Sequence, residues 1–430
     1  MIVTIARSLL GIAALLLFAW LLSSDRRRFP WKIVIGGLGL QWGLALVILR
    51  TDTGQAIFDG VARIVTAVLY GADRGASFVF GPLAGDHELV GWKAIVGIKI
   101  MTTIIIVAVI SSIGYHYGVL QRAVAGMAWV MKRAMGVSGA ESLAAAANVF
   151  FGQTEAPLLV RPYISGMTRS ELMALMTGGF ATVAAGVMAY YVDVLGDGDA
   201  ERSKEMARHL LTACLMSAPA AFVMAKILVP PQEPATTTDR VEIALEKETR
   251  SLVDAVTSGA SEGMKLAINV LAMLIAFVAL IAVLDVGLVA LGRWSVLVPL
   301  VEKLGMDRLD LDGILGLVFA PISWLIGVEG QDCRSFGGLL GKAMATNEVI
   351  AYETLSEIAR SGGMEKRSVL MATYSLCGFA NISSIGIQIG GIGGLAPDRR
   401  VDLVRLGPRA MLGGAMACWM TGCIAGVLVR

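Results

Sequence analysis

Phe150-Phe151-Gly152-Gln153-Thr154-Glu155-Ala156-Pro157-Leu158 interrupts an apolar run near 138-164, and Ala345-Thr346-Asn347-Glu348-Val349 interrupts a second run near 335-359. Each run is apolar on both sides and polar near its middle. Hydrocarbon cannot hydrogen-bond the backbone of a broken helix, so non-helical chain at that depth must be buried in protein or face a watery cavity. Both runs therefore read as re-entrant hairpins with polar tips. Glu155 and Glu348 are the costliest residues in them, since an unpaired carboxylate in an apolar setting costs several kcal/mol.

The rest of the chain supplies the membrane that this reading needs. Its 430 residues are 56% hydrophobic and 16% charged, with a mean hydropathy of +0.71, whereas soluble domains carry about a quarter charged residues. A formal charge of +2 leaves no basic excess for a polyanion, which sets nucleic-acid binding aside. The five cysteines (214, 333, 377, 418 and 423) form no CxxC pair and read as buried thiols. His87, His116 and His209 form no HExxH or similar ligand pair.

Eight apolar runs are long enough, at about 20 residues, to cross a bilayer core: 3-22, 31-50, 93-114, 172-193, 209-229, 266-291, 369-394 and 408-429. The first is too long for a signal-peptide core and lacks a cleavage site before Arg26-Arg27-Arg28, so it reads as a retained helix. Basic loops stay on the cytoplasmic side. Arg26, Arg27 and Arg28 then place the amino terminus outside, the acidic 193-201 segment outside, and the loop of Arg399, Arg400, Arg405 and Arg409 inside. The count closes only if each hairpin enters and leaves on one face.

The expected fold is all-α: a polytopic membrane protein with eight transmembrane helices, two re-entrant hairpins and inverted repeats. Scaffold helices occupy 1-117, including an undecided polar stretch at 51-90. A first repeat (118-229) runs interfacial helix, hairpin, broken helix, spanning helix. A cytoplasmic linker (230-264) carries Pro230, Pro231, Pro234, the run Thr236-Thr237-Thr238, and the charges Glu242, Glu246, Lys247 and Glu248. A scaffold helix and connection (265-310) precede the second, inverted repeat (311-430). Inverted repeats with broken helices are the architecture of secondary transporters.

After each hairpin comes a helix interrupted by small and polar residues. The first contains Gly178-Gly179-Phe180-Ala181-Thr182-Val183-Ala184-Ala185-Gly186-Val187. The second contains Cys377-Gly378-Phe379-Ala380-Asn381-Ile382-Ser383-Ser384 and the glycine-rich 386-394. The glycines also suit close helix packing. Asn381 and Ser384, three apart, share a helix face.

Gly152-Gln153-Thr154-Glu155-Ala156-Pro157-Leu158, Thr346-Asn347-Glu348, Gly378-Phe379-Ala380-Asn381-Ile382-Ser383-Ser384-Ile385 and Gly390-Gly391-Ile392-Gly393-Gly394-Leu395-Ala396-Pro397 resemble, in order and across almost the whole chain, the signatures of the concentrative nucleoside transporter family. The resemblance implies a homotrimer in the bacterial inner membrane, each protomer moving its own nucleoside, such as uridine, by alternating access. It implies that Gln153, Thr154 and Glu155 meet the nucleobase with Val187 against it, and that Glu348, Asn381 and Ser384 hold the ribose beside Phe379. It also implies a co-transported sodium ion at Asn148, Phe151, Thr182 and Val183. Thr182 departs from the family's serine; it keeps the hydroxyl and adds a methyl. Some members couple to protons, a role open to Glu155 or Glu348.

The residue types fit independently. A nucleobase edge suits an amide and a carboxylate, and ribose hydroxyls donate well to a carboxylate. An intramembrane enzyme finds no nucleophile-base pair, metal motif or phosphate loop. A channel is separated from a carrier by accumulation against a gradient. A dicarboxylate carrier is disfavoured because two glutamates would repel that cargo and no arginine adjoins them in sequence. A carrier for a nucleobase or sugar stays open on composition alone.

Overall fold

In the computed structural model, residues 2-84, 95-233, 249-294, 297-304 and 306-429 are described. The 236-238 threonine run, the charges at 242-248 and His87 lie outside them. The described residues are helical throughout, with no strand. In chain order the helices are α1 (Ile2–Leu21), α2 (Trp31–Arg50), α3 (Asp52–Phe80), α4 (Val96–His116), α5 (Val119–Met135), α6 (Gly139–Asn148), α7 (Arg161–Ile164), α8 (Arg169–Ala181) and α9 (Ala185–Gly196). They continue as α10 (Ala200–Leu228), α11 (Leu252–Gly292), α12 (Val298–Lys303), α13 (Leu311–Ile326), α14 (Cys333–Ala345), α15 (Glu348–Ser361), α16 (Lys366–Ser375), α17 (Ile382–Leu395) and α18 (Arg400–Leu428).

Both polar tips break their helices, for different local reasons. α6 ends at Asn148, and the chain turns through 149-155 into a 3-10 turn, Ala156–Val160, with Pro157 at its start. α14 ends at Thr346, and Asn347 starts α15 by accepting the Ile350 N–H on its side-chain oxygen at 3.0 Å, an ordinary N-cap. The downstream helices break as well. Thr182 and Ala184 adopt extended backbone between α8 and α9, and the Thr182 hydroxyl donates to the Gly178 carbonyl at 2.9 Å. Residues 376-381 separate α16 from α17, whose N-cap Asn381 accepts the Ser384 N–H at 2.9 Å.

The interruptions expected within 172-193 and 369-394 fall between short helices, α8 and α9 in the first and α16 and α17 in the second, where Asn381 caps α17. One boundary differs from expectation. Residues 252-264, expected in the linker, are the first turns of the 41-residue α11, started by Ser251 accepting from Asp254 N. Of the undecided stretch 51-90, the described part to Ala84 is α3 followed by a 3-10 turn at Gly81–Ala84; 85-90 lie outside the described residues.

Six helical segments among the described residues are long and apolar enough to cross a membrane: Trp31–Arg50, Val96–His116, Arg169–Gly196, Ala200–Leu228, Leu252–Gly292 and Pro397–Leu428. Ile5–Leu21 and Ile382–Leu395 are apolar but shorter. The segments form two layers. The inner ones, α8 to α10 and α18, are mostly buried, whereas only 6% of α11's apolar window is. α11 lies along α4 through Gly259 and Gly263, where an added Cβ would sit 2.8 Å from the Val109 and Ile105 Cα atoms respectively. This is a Gly-x-x-x-Gly approach, in which van der Waals contact between backbones replaces a hydrophobic drive that lipid does not supply.

The start of α6 carries a buried ion pair. Ser138 and Thr168 open α6 and α8 as capping boxes with Glu141 and Glu171. Glu141 also pairs with Lys226 near the end of α10, and Lys226 donates to Ser170 Oγ at 3.1 Å. Further contacts sort the connections into two ends. Ser165 Oγ donates to Asp398 at 3.0 Å, Arg399 to the Ser165 carbonyl at 2.9 Å, and Ser24 N to the Leu228 carbonyl at 2.9 Å. Arg360, after the second tip, instead pairs with Asp197 at 3.6 Å.

Candidate functional site

The start of α17 is where the two tips meet. Asn381, placed there by its capping geometry, turns its Nδ2 to donate to Glu348 Oε2 at 3.1 Å, while Tyr191 of α9 donates its hydroxyl to Glu348 Oε1 at 2.8 Å. One turn along, Ser384 accepts a hydrogen bond from Gln153 Nε2 at 3.1 Å. Gln388, a further turn on, donates from Nε2 to Gln153 Oε1 and to the Met176 carbonyl, both at 3.1 Å. Polar groups at 381, 384 and 388 thus share one face of α17 and tie each tip to it. Glu348, Asn381, Ser384 and Gln388 are all 3% exposed or less.

Small residues make this convergence sterically possible. A Cβ on Gly179 would lie 2.8 Å from Gln388 Nε2 and 3.0 Å from Gln153 Cβ, and one on Gly391 would lie 3.4 Å from Thr154 Cγ2. The first position admits no side chain unless the glutamines move. Gly378 is similar, with Cys418 Sγ and the Phe180 carbonyl each 2.6 Å from the added atom.

Of the sequence-derived substrate residues, Gln153, Thr154, Glu348, Asn381 and Ser384 are gathered around α17. Phe379, partly buried, lies in the non-helical turn just before it. Val187 is buried in the first turn of α9, one turn from Tyr191 and so on its face. Glu155 stands apart. Its carboxylate accepts from Gly152 N at 3.3 Å, reaches none of Glu348, Asn381 or Ser384, and faces a cleft of about 760 Å³ also lined by Ser111, Tyr115, Arg161, Gly186 and Glu262. Arg161 is a cation that the sequence of the tip did not place there.

Of the residues expected to hold a cation, Asn148 and Thr182 both adjoin Gly178. Asn148 is 1% exposed and neither its Oδ1 nor its Nδ2 has a partner. A Cβ on Gly178 would lie 3.2 Å from that Nδ2, so Asn148 packs on the turn whose carbonyl accepts the Thr182 hydroxyl. α6 and α8 both end here, leaving C-terminal carbonyls whose partial negative charge suits a cation. The Asn148 amide oxygen is buried without a donor, and the Thr182 hydroxyl, which donates to the Gly178 carbonyl, keeps lone pairs of its own. That chemistry fits a hard monovalent ion.

Two residues of the network went unread in the sequence. Tyr191 looked like part of an apolar span, although its four-residue spacing from Val187 was a usable signal. Gln388 was hidden among glycines. Tyr191 also stacks on Tyr352, with centroids 4.1 Å apart and planes at 21°, which fixes its hydroxyl.

Comparisons with known proteins agree along the whole chain. Residues 10–83 match the family described as Na+ dependent nucleoside transporter N-terminus, 97–198 one described as nucleoside recognition (Gate), and 209–426 the Na+ dependent nucleoside transporter C-terminus. An uncharacterized transporter of Haemophilus influenzae is 38% identical, over 99% of this chain and 98% of its own. Human solute carrier family 28 member 3 is 37% identical over 97% of this chain, which spans 59% of that longer protein. The solved structure of CNTnw in an inward-facing substrate-bound state superposes with a TM-score of 0.89 at 33% identity, covering 99% of both chains. A CNTnw double variant in an outward-facing state gives 0.88 at 33% identity, covering 99% and 97%.

Proposed function

The chain belongs to the Na+ dependent nucleoside transporter family, and from that premise we propose that it imports nucleosides such as uridine, driven by sodium, through alternating access of a hairpin-bearing transport unit. It is a membrane transporter and not an enzyme. The observation that carries the site assignment is the buried network from Tyr191 through Glu348 and Asn381, with Gln153 on Ser384 one turn further along α17.

In this reading Glu348 keeps lone pairs for the ribose diol while Tyr191 and Asn381 hold its two oxygens in place. Ser384 and Asn381 add contacts to the sugar, and Phe379 and Val187 close on the apolar faces. Gln153, Thr154 and Glu155 meet the base. Asn148, Thr182 and the carbonyls of Phe151 and Val183 hold the co-transported sodium. Because Asn148 ends α6 and Gln153 sits on the turn that follows, an ion at Asn148 orders the tip that reads the base, and the two affinities become linked.

The proposal extends to architecture. The chain has eight spans, two re-entrant hairpins and inverted repeats, with 118-229 and 311-430 as the repeats, and it assembles as a homotrimer in a bacterial inner membrane with its amino terminus outside. Segments assigned to the inner side meet one another at Ser165 and Asp398, and those assigned outside at Arg360 and Asp197, as this topology requires. The decisive test is uptake of radiolabelled uridine by liposomes holding the purified protein, under an inward sodium gradient, an inward proton gradient, or neither. Accumulation with sodium alone is expected. Uptake that only equilibrates, or that a proton gradient drives without sodium, would overturn the sodium-symport reading.

A further inference from the structure

We propose that Gln388 is a positioning residue that sets which way the Gln153 amide faces, so that the site offers the nucleobase an N–H donor and selects bases presenting a carbonyl or unprotonated ring nitrogen there. This rests on the nucleoside site proposed above and adds the direction of its hydrogen bonding.

The Met176 carbonyl can only accept. Gln388 Nε2 lies 3.1 Å from it, so that atom must be the NH2 end of the side chain. The same nitrogen lies 3.1 Å from the Gln153 amide, and its second hydrogen requires an acceptor, which puts Gln153 Oε1 on the Gln388 side. Gln153 Nε2 is thereby turned towards Ser384, whose Oγ it meets at 3.1 Å. Ser384 accepts that bond and keeps its own proton to donate. A backbone carbonyl has thus fixed the polarity of two amides and a hydroxyl in series.

The setting leaves little room for the reverse arrangement. Gln388 is 1% exposed, and its Oε1 has no partner; flipping it would aim oxygen at the Met176 carbonyl. Gly179 lets both glutamines lie close against α8, where an added Cβ would meet Gln388 Nε2 at 2.8 Å and Gln153 Cβ at 3.0 Å. A free glutamine is indifferent between donor and acceptor, whereas this one is committed.

The test pairs protein and ligand deletions in sodium-driven liposome uptake. Uridine is compared with analogues in which the 2- or the 4-carbonyl oxygen of the base is replaced by hydrogen, as competitors of uridine uptake. In the wild type, loss of one of these oxygens is expected to weaken competition about tenfold, as for one buried hydrogen bond. In Gln388→Met, which has similar volume but no donor, the same deletion is expected to cost less than about twofold, with uridine KM raised and Vmax retained. Gln388→Glu, an acceptor at that position, is expected to turn Gln153 over and shift preference from uridine towards cytidine.

Equal analogue penalties in wild type and Gln388→Met would overturn the proposal, as would a wild type indifferent to both oxygens, a result that needs no variant to fold. Absence of sodium-driven uridine uptake by the wild type would instead remove the transport reading beneath it.

Discussion

At Glu348, charge and geometry are separable. Tyr191 and Asn381 already occupy one lone-pair site on each carboxylate oxygen. Glu348→Gln keeps the shape and loses the charge; with its oxygen towards Asn381 and its NH2 towards the Tyr191 hydroxyl, which can accept, it leaves one acceptor oxygen where the carboxylate had two. Uridine binding by titration calorimetry is expected to weaken by about 1.5–3 kcal/mol, the usual worth of a hydrogen bond to a charged group. Tyr191→Phe leaves the charge and frees one oxygen, so a smaller loss is expected. Unchanged affinity in Glu348→Gln would remove the ribose assignment. At Thr182 the proposed sodium site uses the hydroxyl, not the methyl. Thr182→Val is expected to raise the sodium concentration for half-maximal uptake several-fold, whereas Thr182→Ser keeps it near wild type. If valine and serine behave alike, Thr182 contributes only its backbone.

Among elements, the broken helices were legible as interruptions but not as broken pairs. Thr182 and Asn381 read as polar residues inside apolar runs; that one ends α8 and the other caps α17 depends on backbone angles set by packing. The capping boxes Ser138-Gly139-Ala140-Glu141 and Thr168-Arg169-Ser170-Glu171 are local patterns that went unread in the sequence, and nothing local told that Lys226 would close on Glu141. Lys226→Met leaves a buried carboxylate unpaired and is expected to cost about 3–5 kcal/mol, read as a lowered unfolding midpoint in detergent; adding Glu141→Leu should recover most of it. If the single change leaves the midpoint unmoved, the pair is solvated. Gly263→Leu is expected to force α4 and α11 apart and lower the midpoint, since the Ile105 backbone leaves no space for a side chain.

For the whole molecule, orientation is the open quantity and the cysteines make it measurable. All five are free and buried, so labelling of a new surface cysteine stands on a quiet background. Glu201→Cys, beside the acidic 193-201 segment and highly exposed, is expected to react with an impermeant maleimide added outside intact spheroplasts. Arg27→Cys should react only after permeabilisation. The opposite pattern would invert the topology. The exposed outer face of α11, with Ile275 72% and Val286 73% exposed, is the surface such a chain turns to lipid.

What the sequence alone determined was the class and the chemistry: composition demanded a membrane, interrupted apolar runs demanded protein or water around their polar tips, and the tip residues specified a neutral hydrogen-bonding cargo. These follow from local transfer costs, which each residue incurs wherever it sits. Tertiary structure alone decided the partners. Glu348 meets Tyr191, Gln153 meets Gln388, and Glu141 meets Lys226 across long stretches of chain, because a buried polar group must find its complement on whichever helix packing brings alongside.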